Sequence, residues 1–466
     1  MNRRKAEMSK KQRQELDFLF IYEHKVRELE NLCLMKYELD RRGYKTQIIH
    51  IEDEKALKAV KPYYYAKVVV LMACYDNHTL EWHTKDFVKF EKAIDLQWEN
   101  IVYPMDEKNQ KAYKNYTGVA KEVVRISWGE KNRQRMLDVA KMDPKKIKLI
   151  GHVGMDYLRD ELKGYYSSRG ELFREYGLAV DKEVYLFISP FFSDCLDESY
   201  ITKMCERFGE GWRDYYQSFM LNSKKTILDW IRRVCEQRQD LIFIYRPHPG
   251  EKSETADRMA QKLSNFKVIG DKSVKQWILA SDKIYTGNSS TFVEAFFAKK
   301  MCYMLFPYPA PEDYELEMIK GADKITNFEA FQKSTQEKDG RFPIREELID
   351  EVYSIDWEKP SYVKFADMAE EVYKDPYYNL TKEQLKSYRT KQSVSVRIIK
   401  ALSKIDCLYH PYLKLVENEN IHWKWLEPMR ASRKKVKEIV QRQAFEQTND
   451  KEVADIIAKI SAQLNR

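Results

Sequence analysis

LIFIYRPHPGE at 241–251 and SVKQWILASDKIYTGNSSTFVEAFFAKKMCYMLFP at 273–307 decide how the chain is read. Short apolar runs alternate with amphipathic ones. The order is strand, histidine loop, helix, strand, hydroxyl-rich loop, helix, strand. Loops that leave successive parallel strands on one side of a sheet can converge on one ligand. Arg246 and His248 leave the first strand; Gly287, Asn288, Ser289, Ser290 and Thr291 leave the second, and Glu294 lies in the helix beyond. This inventory suits a phosphate and a sugar, so the stretch reads as a site for a nucleotide-activated sugar.

Each part has a chemical reason and a plainer rival. Prolines on both sides of His248 restrict the loop and present the imidazole. A histidine or arginine at a strand's carboxyl end can donate to a departing phosphate; an incidental histidine in a turn is the rival. Gly287 permits a tight turn, and Ser289 to Thr291 offer hydroxyls and N–H groups at a helix start, which suits an anion. An ordinary Ser/Thr cap needs no ligand. Glu294 can take ribose hydroxyls, or it is a first-turn acid favoured by the helix dipole.

Working outward, the same alternation recurs upstream. FLFIYEH from Phe18, YKTQIIHIED, AKVVVLMACY at 66–75, NIVYPMDEK at 100–108, VVRISWGE and IKLIGHVGMDYL read as strands with helices between them. Near-continuously apolar strands argue for a parallel sheet covered on both faces. The expected organisation is a basic extension at 1–17, a Rossmann-like domain at 18–162 that takes the acceptor, and a connector at 163–183. A second Rossmann-like domain at 184–330 holds the donor, and 331–466 is mostly helical. The fold class is α/β, two Rossmann-like domains facing across a cleft in the GT-B manner, with a helical C-terminal extension.

Composition bounds the rest. A chain of 466 residues, 43% hydrophobic and 33% charged, is globular and too long for one ordinary core. Aromatic content is 13% with 31 tyrosines, high enough to suit a sugar cleft or to reflect compositional bias alone. The net charge of +8 mixes both signs, which is no nucleic-acid footprint. Its basic ends allow peripheral contact with the inner membrane surface, though a solvated helix is the simpler reading. Seven scattered cysteines without a CxxC pair read as reduced thiols of a cytoplasmic protein. No apolar run is long enough to span a bilayer, and no signal-peptide core is visible.

The first domain should face the donor site with an acid or base. Asp106 and Glu107, after an apolar run, are the leading pair, since a carboxylate at a strand end can deprotonate an acceptor hydroxyl. Asp76, with His78 close by, is a rival. Asp156 in GHVGMD either serves there or caps the interdomain turn, and His24 lines the cleft or packs. No metal ligand set emerges from the eight histidines, so neither a metal nor another cofactor is expected. GxxxxGK[ST], GxGxxG and GxSxG are all absent, which disfavours P-loop, nicotinamide and serine-hydrolase chemistry.

The ordered motifs WGE (128–130), IGHVGMDYLR (150–159), YLFISPF, YRPHPGE, SVKQWILASD and GNSSTFVEAFFAKK resemble bacterial surface carbohydrate (capsule or lipopolysaccharide) biosynthesis proteins. These are GT-B-like and related to polysialyltransferases, Kdo transferases and glycerophosphotransferases. The resemblance runs over roughly residues 18–310 and is most specific from Arg246 to Lys300. It implies metal-independent sugar transfer from a nucleotide donor, CMP-linked by preference, to a glycan or lipid-linked acceptor. It would place His248 on the donor phosphate, Ser289, Ser290 and Thr291 on its oxygens or the cytidine side, and Glu294 near the ribose. Asp106 and Glu107 fall at an acid-acid-glycine motif whose glycine is missing, and GHVGMD lacks the arginine of a Gly-Asn-Pro-Arg-like turn. The alternatives are a nucleotide-sugar 2-epimerase, a CDP-glycerol-type glycerophosphotransferase, or a non-catalytic nucleotide-binding assembly protein.

Overall fold

The computed structural model describes residues 14–53, 64–84, 88–98, 116–191, 196–389 and 444–465, together with 100, 101, 104, 411, 414 and 418. Two six-stranded, wholly parallel sheets organise it. The first runs β2-β1-β3-β4-β5-β6, from β1 (Gln14–Tyr22), β2 (Thr46–His50), β3 (Tyr64–Leu71), β4 (Val88–Asp95), β5 (Val124–Ser127) and β6 (Ile147–Leu149). The second runs β12-β11-β10-β7-β8-β9, from β7 (Glu183–Ile188), β8 (Leu241–Arg246), β9 (Phe266–Val268), β10 (Lys283–Thr286), β11 (Met301–Leu305) and β12 (Lys324–Ile325). Helices pack on both sheets, giving an α/β architecture of two parallel-sheet domains, with a helical C-terminal segment.

The central strands are apolar on both faces: Phe18 to Tyr22, Val68 to Leu71 and Leu241 to Tyr245 are fully or nearly fully buried. That burial, summed over two sheets, is the driving term of the fold. The strand after β3 differs from the sequence expectation. It is Val88–Asp95, upstream of NIVYPMDEK, and the described residues of that segment (100, 101 and 104) are not strand. The alternation of Lys89 and Glu91 outward with Val88 and Phe90 inward is the period-two pattern of a half-covered strand.

Helix Ser361–Lys374 crosses back from the second domain and packs on β3, β4 and helix Lys25–Arg41. Both of its ends are held by buried charges of the first domain. Asp156 accepts from the Ser361 and Tyr362 N–H groups at 3.1 and 2.8 Å. Lys92 donates to the carbonyls of Val372, Tyr373 and Asp375 at 2.7, 2.7 and 3.0 Å. A carboxyl acceptor at the amino end and a cation at the carboxyl end each satisfy backbone groups the helix leaves open. Helix Asp450–Leu464 then lies along helix Lys25–Arg41.

Lys92 is 2% exposed, so its loss strands three carbonyls in a dry site. Lys92→Met is expected to lower the unfolding free energy by about 2–4 kcal/mol. Urea titration of the variant against the parent reads it directly. An unchanged midpoint would mean that water reaches the helix end.

Candidate active site

In an open parallel sheet the ligand crevice lies where neighbouring strands send their loops in opposite directions. In the second sheet that point flanks β7, which pairs with β8 on one side and β10 on the other. Ile188 is level with Arg246 across one ladder and with Thr286 across the other. Arg246–Glu251 and Gly287–Thr291 therefore leave the sheet at the same height, roughly 10 Å apart at two strand spacings. Topology brings together the two loops that the sequence singled out.

The histidine loop is fixed by its backbone. Glu251 accepts from the His248 N–H at 3.0 Å and from the Tyr245 hydroxyl at 2.5 Å, and it pairs with Lys224 at 2.8 Å. The Tyr245 hydroxyl is also 3.1 Å from the Ser189 hydroxyl, which ties in the loop after β7. His248 Nδ1 accepts from the Gly250 N–H at 3.2 Å, which assigns the ring proton to Nε2. Burial lowers the affinity of this imidazole for a second proton, with the Glu251 carboxylate opposing it. At neutral pH His248 is a neutral donor. Arg246 donates to the carbonyls of Asp271 and Lys272 at 2.7 and 2.6 Å, bracing the turn beside the site.

In the hydroxyl loop, Thr291 N–H donates to the Ser289 hydroxyl at 3.3 Å, and the two hydroxyls lie 3.1 Å apart. Gly287 serves close packing: a side chain there would meet Pro190 at 3.1 Å. Asn288 is buried with both ends of its amide occupied, donating to Tyr314 O at 2.6 Å and accepting from Leu316 N–H at 3.0 Å. Its side chain thus clamps the segment after β11. Ser290 lies beside the Tyr353 hydroxyl, and Glu294 is half-buried on the helix Phe292–Phe297. Burial pushes the Glu294 carboxyl up, against the pull of Lys275.

Of the first-domain candidates, Asp106 and Glu107 lie outside the described residues. Asp76 accepts from the Thr79 N–H and hydroxyl at 2.7 and 2.9 Å, capping helix Asn77–Thr84. Burial works against its charge, but those bonds outweigh it and hold the carboxyl below the usual range. His24 stands at the carboxyl end of β1, 3.7 Å from Glu23 and 3.8 Å from Glu446, so the C-terminal segment meets it. Asp156 is committed to helix Ser361–Lys374, and burial raises its carboxyl to about 7 against the two N–H donors. Glu251, Lys224 and Asp95 were missed in sequence. Only the RPHPGE loop itself carried a signal for the first of them.

Among the described residues no group of histidine, cysteine and acidic side chains could hold a metal, and no helix is long and apolar enough to cross a membrane. The described cysteines Cys33, Cys74, Cys205, Cys235 and Cys302 are buried free thiols.

No protein-family model and no curated protein matches the chain. Among solved structures it is similar to S. aureus MnaA with UDP, at 14% identity and a TM-score of 0.43 over 77% of this chain and 94% of that one. The wall teichoic acid polymerase TagF is 15% identical, with a TM-score of 0.46 over 79% and 90%. Methanocaldococcus jannaschii UDP-GlcNAc 2-epimerase, in complex with UDP-GlcNAc and UDP, is 14% identical with a TM-score of 0.42 over 77% and 100%. No residue role carries over at such distances, and the chemistry of the site rests on this chain's own residues.

Proposed function

We propose that the protein is a GT-B glycosyltransferase acting on a nucleotide-activated donor, a CMP-sugar by preference, with a bacterial surface glycan precursor as acceptor. The observation that carries this reading is the level placement of Arg246–Glu251 and Gly287–Thr291 about Ile188 at the crevice of the second sheet. A neutral His248 with its proton on Nε2 donates to the departing phosphate oxygen, where negative charge develops. The Ser289, Ser290 and Thr291 hydroxyls and N–H groups supply further donors to the same anion. Helix Phe292–Phe297 has only six residues, so its dipole adds little.

A melting series with CMP, CDP, UDP and GDP tests the site, because a ligand that binds only the folded state raises Tm by mass action. One nucleotide is expected to stabilise the protein clearly. Mass analysis of products from CMP-sugars, UDP-sugars and CDP-glycerol then separates glycoside from epimerised sugar and phosphodiester. No stabilisation by any of the four nucleotides would overturn the reading.

A further inference from the structure

The interdomain junction holds a second group of ionisable side chains. The turn Val153–Leu158, which follows β6, packs against helices Val274–Ala280 and Phe292–Phe297 of the second domain. His152 opens that turn. Its ring lies 4.1 Å from Trp128, 5.4 Å from Trp98 and 6.1 Å from Tyr353, centroid to centroid. Tyr353 in turn lies beside Ser290 of the hydroxyl loop. The imidazole is thus boxed by aromatics on the first-domain side and adjoins the donor loop on the other.

Two buried polar atoms in this place have no hydrogen-bond partner: His152 Nδ1 and Asn31 Oδ1. Asn31 is 3% exposed, and its Nδ2 donates to Arg27 O at 3.0 Å, which fixes the amide with Oδ1 turned the other way. A Cβ on Gly154 would lie 2.9 Å from Nδ1, 2.6 Å from the ring carbon Cε1 and 3.1 Å from Asn31 Oδ1. The two orphaned atoms therefore share one small space, within reach of a single bridging water. Asn31 Oδ1 can only accept, so it takes one proton of that water, whose oxygen can in turn accept from Nδ1–H. In that arrangement the ring proton is on Nδ1 and the lone pair on Nε2.

We propose that His152 is the general base of the first domain, oriented by Asn31 and seated over Gly154, with Nε2 receiving the proton of the acceptor hydroxyl. This rests on the transfer reading above. The acceptor O–H proton passes to Nε2 as that oxygen bonds to the transferred group. The bond from that group to the nucleotide phosphate breaks, and its electron pair goes to the phosphate oxygen. The imidazolium returns its proton to water once products leave. Burial and the Lys275 ammonium hold the free imidazole neutral, down to about 3, so Nε2 is unprotonated before substrate arrives. Lys275 also acts on Glu294. An anionic donor entering beside these two offsets the ammonium, the lesser of the two effects that hold the ring neutral.

The test uses the full chain and whichever donor the product analysis finds turned over. His152→Gln is expected to keep the nucleotide-induced Tm shift and lose about 10²–10³-fold in kcat. Imidazole added to His152→Ala should restore part of the turnover, which a merely structural residue would not allow. Gly154→Ala leaves the base intact but displaces it, and should lower kcat with the nucleotide shift unchanged. A wild-type protein that no nucleotide stabilises overturns the transfer reading and this role with it. A His152→Gln variant that binds nucleotide and turns over as fast as the parent overturns the role of His152 alone.

Discussion

Replacing His248 with alanine is expected to cut turnover of the nucleotide donor by about 10²–10³-fold while leaving Tm nearly unchanged. The separation of the two effects follows from how the loop is held. Glu251 grips the backbone N–H of residue 248, and Tyr245 and Lys224 grip Glu251, so these bonds hold the loop through its backbone and not through the imidazole's own atoms. Deleting the ring frees the Gly250 N–H, which is exposed enough for water to replace its partner. The lost group is the Nε2 donor, which in the proposed transfer serves the phosphate where charge develops. Because burial depresses its affinity for a second proton, the ring changes charge only below the ordinary histidine range. Any effect of protonating His248 on the pH–rate profile should therefore lie below pH 6.5. Steady-state kinetics with the active donor measure both quantities. Unchanged kcat/KM in His248→Ala would remove the residue from the donor site.

Glu251→Gln makes the informative contrast. It leaves the Lys224 ammonium without its carboxylate at a position 3% exposed, so stability and turnover should fall together. A variant that loses activity at constant Tm and one that loses both distinguish the group doing chemistry from the group holding it.

The second sheet was legible because its strands are unbroken apolar runs and its two loops carry rare residue combinations. RPHPGE and TGNSST announced themselves locally. What those residues do beyond their loops was not legible. Asn288 looks like a ligand donor in sequence, yet its amide is occupied by Tyr314 and Leu316, and nothing near position 288 encodes that. β4 was passed over because Lys89, Glu91 and Lys92 make VKFEKAID resemble a solvated surface segment. Lys92 is buried only because the end of a helix some 280 residues later supplies three carbonyls to it. Asp156 allowed two readings, a cleft acid or a cap of the interdomain turn, and the structure has it instead accept from the N–H groups of Ser361 and Tyr362, 205 and 206 residues on. Asp95 drew no attention at all, since its meaning depends on an arginine one strand over.

Arg125→Met is expected to lower the stability of the first domain by about 3–5 kcal/mol, the range for a buried ion pair that loses one partner. Arg125 and Asp95 are both fully buried, 3.1 Å apart, and lie side by side on β5 and β4. Asp95 also accepts from Cys74 N–H at 3.0 Å and Gln97 N–H at 2.8 Å. Arg125 donates to the carbonyls of Cys74 and Ala120 and stacks over Tyr116 at 3.9 Å. One pair therefore ties the ends of β3, β4 and β5. Removing the guanidinium leaves a buried carboxylate that desolvation already pushes toward its protonated form, together with two carbonyls lacking their donor. Neutralising the survivor should recover much of the loss: Asp95→Asn keeps an acceptor and discards the charge. The double variant is expected to be more stable than Arg125→Met alone, with a coupling of about 1–3 kcal/mol read from a double-mutant cycle in urea. Additive losses would show instead that water reaches the pair and that each group is held by its backbone partners.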